Sequence, residues 1–146
     1  MEWLKPLQGR VVGLDTAPLI YFVEENPFFL PVVRPFFEGL DRGDFVAVTS
    51  SLTLTEVLTQ PFRKGNGRLV ESYRNILLDS ANLITADVTP DIAERAARLR
   101  AERNLRTPDA IQIATAMAEG AVALLTNDSR LVPPPDLRIL VLSELR

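Results

Sequence analysis

Four carboxylates, Asp15, Glu56, Asp109 and Asp128, are the residues of this sequence whose types and settings could do chemistry. Asp15 ends the short run Arg10-Val11-Val12-Gly13-Leu14 and is followed at once by Thr16-Ala17-Pro18, so it sits where a buried strand gives way to a helix. Asp128 stands in the same relation to Ala121-Val122-Ala123-Leu124-Leu125-Thr126. Glu56 lies just inside a helix that Ser50 or Ser51 can cap, and Asp109 lies in the first turn of a helix opened by Thr107-Pro108.

Singly, each acid has a plain structural reading. Asp15 or Thr16 can cap its helix, Asp109 gains about 0.3–1 kcal/mol from the free amides and dipole of a helix start, and Glu56 can face solvent. Together they say more. Ligands of open α/β sheets gather outside the carboxyl ends of the strands, where all four acids fall if the strands run parallel. Four carboxylates brought close repel one another, so such a cluster makes sense only with cations present. Oxygen ligands without His or Cys select a hard ion, Mg²⁺ or Mn²⁺, and the natural reaction with one or two such ions is phosphodiester hydrolysis. Thr16, Thr126 and Asn127 are candidate supporting donors that would hold the carboxylates in place.

Composition narrows the chemistry further. The 146 residues include no cysteine and no histidine, which excludes disulfides, thiolate or imidazole zinc sites, cysteine nucleophiles and triads with an imidazole base. The length suits one domain, 1–146, with a core that needs no staples. No basic segment precedes an apolar stretch at the N-terminus and no apolar run could span a bilayer, so a cytoplasmic protein away from membranes is expected. A net charge of −3 argues against a nonspecific nucleic-acid coat. Local basic groups remain, among them Arg63 and Lys64 at a turn and Arg106 at the end of an arginine-rich helix. They read either as solvated faces or as docking points for phosphates.

The elements that must position these residues follow from periodicity. Strands are expected at Arg10–Leu14, Phe45–Thr49, Asn82–Ala86, Ala121–Thr126 and Leu137–Leu142, the last after the prolines at 133 to 135. Helices are expected after Asp15, from Pro31 to Leu40, from Ser50 or Ser51 to Leu58, over Arg68–Ser80, from Pro90 to about Asn104 and from Thr107 to a C-terminal glycine at Gly120. Gln60 to Gly67 reads as a turn-rich linker. Strands alternating with helices, each strand too apolar for a wet face, imply a parallel sheet covered on both sides. Phe28 and Phe29, in a segment with four phenylalanines, either join the core or form an apolar surface for a second subunit or partner.

The ordered set Leu14-Asp15-Thr16 with Leu19-Ile20, Thr55-Glu56-Val57, Arg106-Thr107-Pro108-Asp109-Ala110-Ile111-Gln112 and Leu125-Thr126-Asn127-Asp128 resembles PIN-domain ribonucleases. Within them it is most similar to the VapC-type toxins of bacterial and archaeal toxin–antitoxin pairs, over nearly the whole chain. The resemblance implies a three-layer α/β/α fold with a five-stranded parallel sheet of order 3-2-1-4-5. It implies that Asp15, Glu56, Asp109 and Asp128 bind Mg²⁺ or Mn²⁺ and activate the water that cuts RNA, leaving a 5′-phosphate and a 3′-hydroxyl. It further implies a homodimer and an antitoxin whose C-terminal tail covers the acidic pocket, often by inserting an Arg. Two departures stand out. Ala17-Pro18 replaces the Asn or Ser often found after the first Asp-Thr, and Ser129-Arg130-Leu131 supplies no acid where some relatives have one.

Two other readings compete. A PIN-like fold could bind RNA or protein without cutting, although it would then have little reason to keep a repulsive cluster. An enzyme acting on small phosphate esters could also place an Asp after its first strand. That chemistry wants a second acid two residues later, and position 17 is alanine.

Overall fold

The computed structural model describes residues 1–132 and 134–145, so Pro133 of the expected proline run lies outside the described residues. Five strands, β1 (Val11–Leu14), β2 (Val46–Ser50), β3 (Leu83–Ala86), β4 (Ala123–Thr126) and β5 (Arg138–Val141), form one sheet of order β3-β2-β1-β4-β5. All four pairings are parallel, with Val12 opposite both Ala47 and Ala123. The expected fold class and strand order are therefore those observed.

Six helices connect the strands: α1 (Thr16–Val23), α2 (Leu30–Arg42), α3 (Leu52–Arg63), α4 (Gly67–Leu78), α5 (Pro90–Glu102) and α6 (Thr107–Ala118). Short 3-10 turns occupy Glu2–Leu7 and Leu142–Glu144. The strand pleat sends alternate residues to opposite faces, and β4 shows the result. Ala123 and Leu125 join a cluster with Leu19 of α1, Phe36 of α2, Val57 of α3 and Tyr73 of α4. Leu124 between them joins Ile92 and Leu99 of α5 and Ile113 of α6. The sheet thus lies between two helical layers, each with its own apolar core.

The approach of α6 to the sheet is set at Gly13. A Cβ built there would stand 2.7 Å from Ala116 Cβ and 2.9 Å from Leu124 Cδ1, so only glycine lets β1 and this alanine-rich helix come so near. That closeness matters because α6 carries Asp109.

One expected boundary is corrected. Gln60–Gly67 is not a linker throughout, because α3 continues through Pro61 to Arg63 and only Lys64, Gly65 and Asn66 separate it from α4. Pro61 removes one helical amide, but Thr53, Val57, Leu58 and Pro61 form a buried stripe, and that burial outweighs the lost bond. Asn66 then caps α4 by accepting from the Leu69 amide. Among the described residues no helix is long and apolar enough to cross a membrane.

Candidate active site

Asp15 begins the site. Its amide donates to the Leu125 carbonyl at 2.9 Å, extending the sheet's bonding by one residue, and its extended backbone (φ −79°, ψ 169°) makes it the N-cap of α1. Oδ1 accepts from the Thr16 amide at 2.8 Å and Oδ2 accepts from the Thr126 hydroxyl at 2.7 Å. The plain capping role is thus real, but it engages only one oxygen. Burial pushes the Asp15 carboxyl up from its usual range, the bonds from Thr126 and Thr16 pull it back, and the charges of Asp109 and Glu56 raise it further.

Thr126 does two jobs with one oxygen. It donates to Asp15 and accepts the Asp128 amide at 3.1 Å, joining the ends of β1 and β4. Asp128 turns its carboxylate to Arg130, whose amide and Nε lie 2.9 and 3.1 Å from Oδ1. These bonds hold the Asp128 carboxyl below the usual range, and Arg106 adds to the effect.

Asp109 is buried in the first turn of α6, where Arg106 Nε donates to Oδ2 at 3.0 Å and Nη2 reaches Oδ1 at 3.4 Å. Glu56 sits on the exposed side of α3, and its Oε1 accepts the Thr16 hydroxyl at 2.8 Å. Asp15, Thr16, Glu56, Arg106, Asp109, Thr126 and Asp128 line one open cleft of about 260 Å³, together with Ala17, Ile20 and Pro108. A larger cleft of about 620 Å³ elsewhere, between α1, α2 and α4, holds a single acid, Glu25.

Four acids from four elements therefore share one cleft at the carboxyl edge of the sheet. Among the described residues, no three acids are already close enough to hold a metal ion between them. The donor chemistry nonetheless fits a hard divalent ion: every carboxylate offers oxygen donors, Thr16 and Thr126 orient those of Asp15 and Glu56, and Thr126 also anchors the Asp128 backbone.

Asn127 points away from the acids, donating to the Tyr21 hydroxyl at 3.2 Å and accepting the Ser143 amide at 3.1 Å, so it braces α1 against the C-terminal turn. Arg63 and Lys64 are exposed at the far end of α3, about 10 Å along the helix axis from Glu56. Phe29 is partly buried and stacks on Tyr21 at 4.5 Å, whereas Phe28 is 56% exposed and meets Phe29 edge-on. Sequence reasoning missed Arg130 as a member of the site; its signal was a cation two residues after an acid at a strand end. It also missed a buried polar link of Thr49, Thr53 and Gln112, whose signal was Thr53 and Gln112 on otherwise apolar helix faces.

Residues 12–133 match the PIN-domain family. This chain belongs to it. Comparison with curated proteins returns no match. Among solved structures, this PIN domain is similar to a chain of VapBC2 from Rickettsia felis bound to a fragment of promoter DNA, with 18% identity and a TM-score of 0.68 over 90% of this chain and 98% of that one. It is similar to a chain of a toxin–antitoxin complex from Klebsiella pneumoniae, with 23% identity and a TM-score of 0.65 over 87% and 94%. It is also similar to Mycobacterium tuberculosis VapC20, described as a sarcin–ricin loop cleaving toxin, with 20% identity and a TM-score of 0.63 over 78% and 86%.

Proposed function

We propose that this PIN domain is an endoribonuclease that hydrolyses RNA phosphodiester bonds with Mg²⁺ or Mn²⁺, and that it is the toxin of a type II toxin–antitoxin pair. The observation that carries the reading is the convergence of Asp15, Glu56, Asp109 and Asp128 from four separate elements on one cleft. Family membership supports a nuclease, and the toxin role is supported by structural neighbours described as toxins or toxin–antitoxin complexes.

Asp15 is the fixed centre of the site, held by two bonds at the middle strand of the sheet. Asp109 is recessed beside it, and Glu56 and Asp128 close the flanks. Bound between these carboxylates, a divalent ion would supply the acidity of a coordinated water and neutralise charge developing on the phosphate. The chain's own part is to hold the oxygens. Thr126 locks Asp15 to the β4 end that carries Asp128, and Thr16 restrains Glu56. An antitoxin covering this cleft and pairing of two copies of the chain belong to the same reading.

The purified chain should cut a labelled single-stranded RNA in Mn²⁺ or Mg²⁺ and lose that activity in chelator. Asp15→Asn should be inactive at wild-type fold, judged by circular dichroism. On expression in a bacterial host the wild type should arrest growth and Asp15→Asn should not; cleavage without arrest would favour RNA processing over a toxin role.

A further inference from the structure

Among the described residues, two of the four cleft acids are ion-paired, each with an arginine supplied from within three residues. Arg106 grips Asp109 and Arg130 grips Asp128, each through Nε and Nη2. The pairs are lopsided. The Asp109 and Asp128 side chains are 9% and 21% exposed, whereas those of Arg106 and Arg130 are 71% and 83% exposed. The acid is the anchored member and the guanidinium the one that can swing out, at the cost of an ion pair largely screened on its outer side. Each arginine also feels the other's acid, Arg106 that of Asp128 and Arg130 that of Asp109. Both guanidiniums therefore serve one pool of negative charge.

Among the described residues no three of the four cleft acids form a ligand set, and two of them face arginine. Each guanidinium reaches both oxygens of its acid, so a divalent ion that takes Asp109 or Asp128 competes with it for the same carboxylate and is repelled by its charge. Released, the long side chains stand at the mouth of the cleft with five donors each in a fork that matches a phosphodiester.

We propose that Arg106 and Arg130 are exchangeable counter-ions, which neutralise Asp109 and Asp128 while the cleft holds no ion and bind the RNA phosphate once an ion has displaced them. The inference rests on the nuclease reading above. It adds that metal loading and phosphate binding are linked, each making the other tighter.

The test is calorimetric titration of Mn²⁺ into the wild type, Arg106→Gln, Arg130→Gln, Arg106→Lys and Asp109→Asn without RNA, with steady-state cleavage beside it. Each glutamine variant should bind Mn²⁺ more tightly, on the order of tenfold for one charge acting at short range near the surface. Arg106→Lys should stay nearer the wild type. At saturating Mn²⁺ the glutamine variants should show a several-fold higher KM for RNA with a smaller change in kcat. Unchanged or weaker Mn²⁺ binding in both glutamine variants, with the wild type still binding the ion and cutting RNA, overturns the exchange and leaves the nuclease reading standing. No Mn²⁺ binding by the wild type overturns both.

Discussion

The side-chain amide of Gln112 lies 2.7 Å from the hydroxyl oxygen of Thr53, and this bond ties the helix of Asp109 to the helix of Glu56. Gln112 Oε1 accepts the Ser50 amide at 3.2 Å and lies 3.4 Å from the Thr49 hydroxyl, which is itself 2.7 Å from that of Thr53. All four residues are buried. Gln112 is three residues beyond Asp109 and Thr53 three residues before Glu56, so the polar link lies one turn from each acid. It fixes the spacing between two helices that have no covalent reason to be near each other.

Replacing Gln112 by Leu should therefore cost about 1–3 kcal/mol in urea unfolding, because the Ser50 amide and the threonine hydroxyls would be left buried with fewer partners. RNA cleavage should fall by more than the small unfolded fraction accounts for, measured well below the melting temperature. Thr53→Val, which keeps the shape and removes one hydroxyl, should show a smaller loss of both.

Gly13→Ala tests the seat of α6. The added methyl would meet Ala116 Cβ at 2.7 Å and Leu124 Cδ1 at 2.9 Å, so the helix must move away from the sheet. Destabilisation of about 1–3 kcal/mol is expected for such overpacking. Since Asp109 rides on α6, Mn²⁺ affinity should fall as well, and titration of the folded variant below its melting transition checks that.

Much of this was legible in the sequence, for a physical reason. A parallel sheet buried on both faces needs near-continuous apolar strands, and the acids that interrupt them at Asp15 and Asp128 mark the strand ends. Thr89-Pro90 and Thr107-Pro108 announced α5 and α6 through the fit of proline to a helix's first turn. The same reasoning failed at Pro61, where a tertiary stripe carries the helix past a residue that locally argues against it. It failed again at Asn127, because strand-end position does not fix which way a side chain turns, and Tyr21 and the Ser143 amide, distant in sequence, decide it. In the sequence Arg130 marks only a segment, Ser129-Arg130-Leu131, that lacks an acid. Its role depends on a turn that brings its guanidinium back onto Asp128, and that turn is not visible in composition.

The raised Asp15 carboxyl gives a pH signature for the metal-free protein. Its folded pKa lies above the unfolded value of roughly 3.9, so ionisation costs stability: the full stability is present below the unfolded value and is lost as pH rises through the folded one. Asp128, lowered by Arg130, runs the opposite way and loses its contribution as pH falls. Asp15→Asn removes only the first effect. In chelator, the melting temperature of Asp15→Asn relative to wild type should therefore climb as pH is raised from about 4 and then level off. A flat difference across that range would mean that Asp15 is not penalised by burial and neighbouring charge.

Phe28 and Phe29 separate two roles that sequence alone left together. Phe29 stacks on Tyr21, whose hydroxyl accepts from Asn127, so Phe29→Ser should lower stability by about 1–2 kcal/mol through lost aromatic packing. Phe28 presents more than half its surface to solvent, so Phe28→Ser should cost distinctly less in the same urea unfolding. If this corner is an apolar surface for a second copy of the chain, Phe28→Ser should shift sedimentation toward the monomer while the melting curve scarcely moves. An unchanged sedimentation profile at the same protein concentration would assign Phe28 to an edge-on cover over Phe29 and place any self-association elsewhere on the molecule.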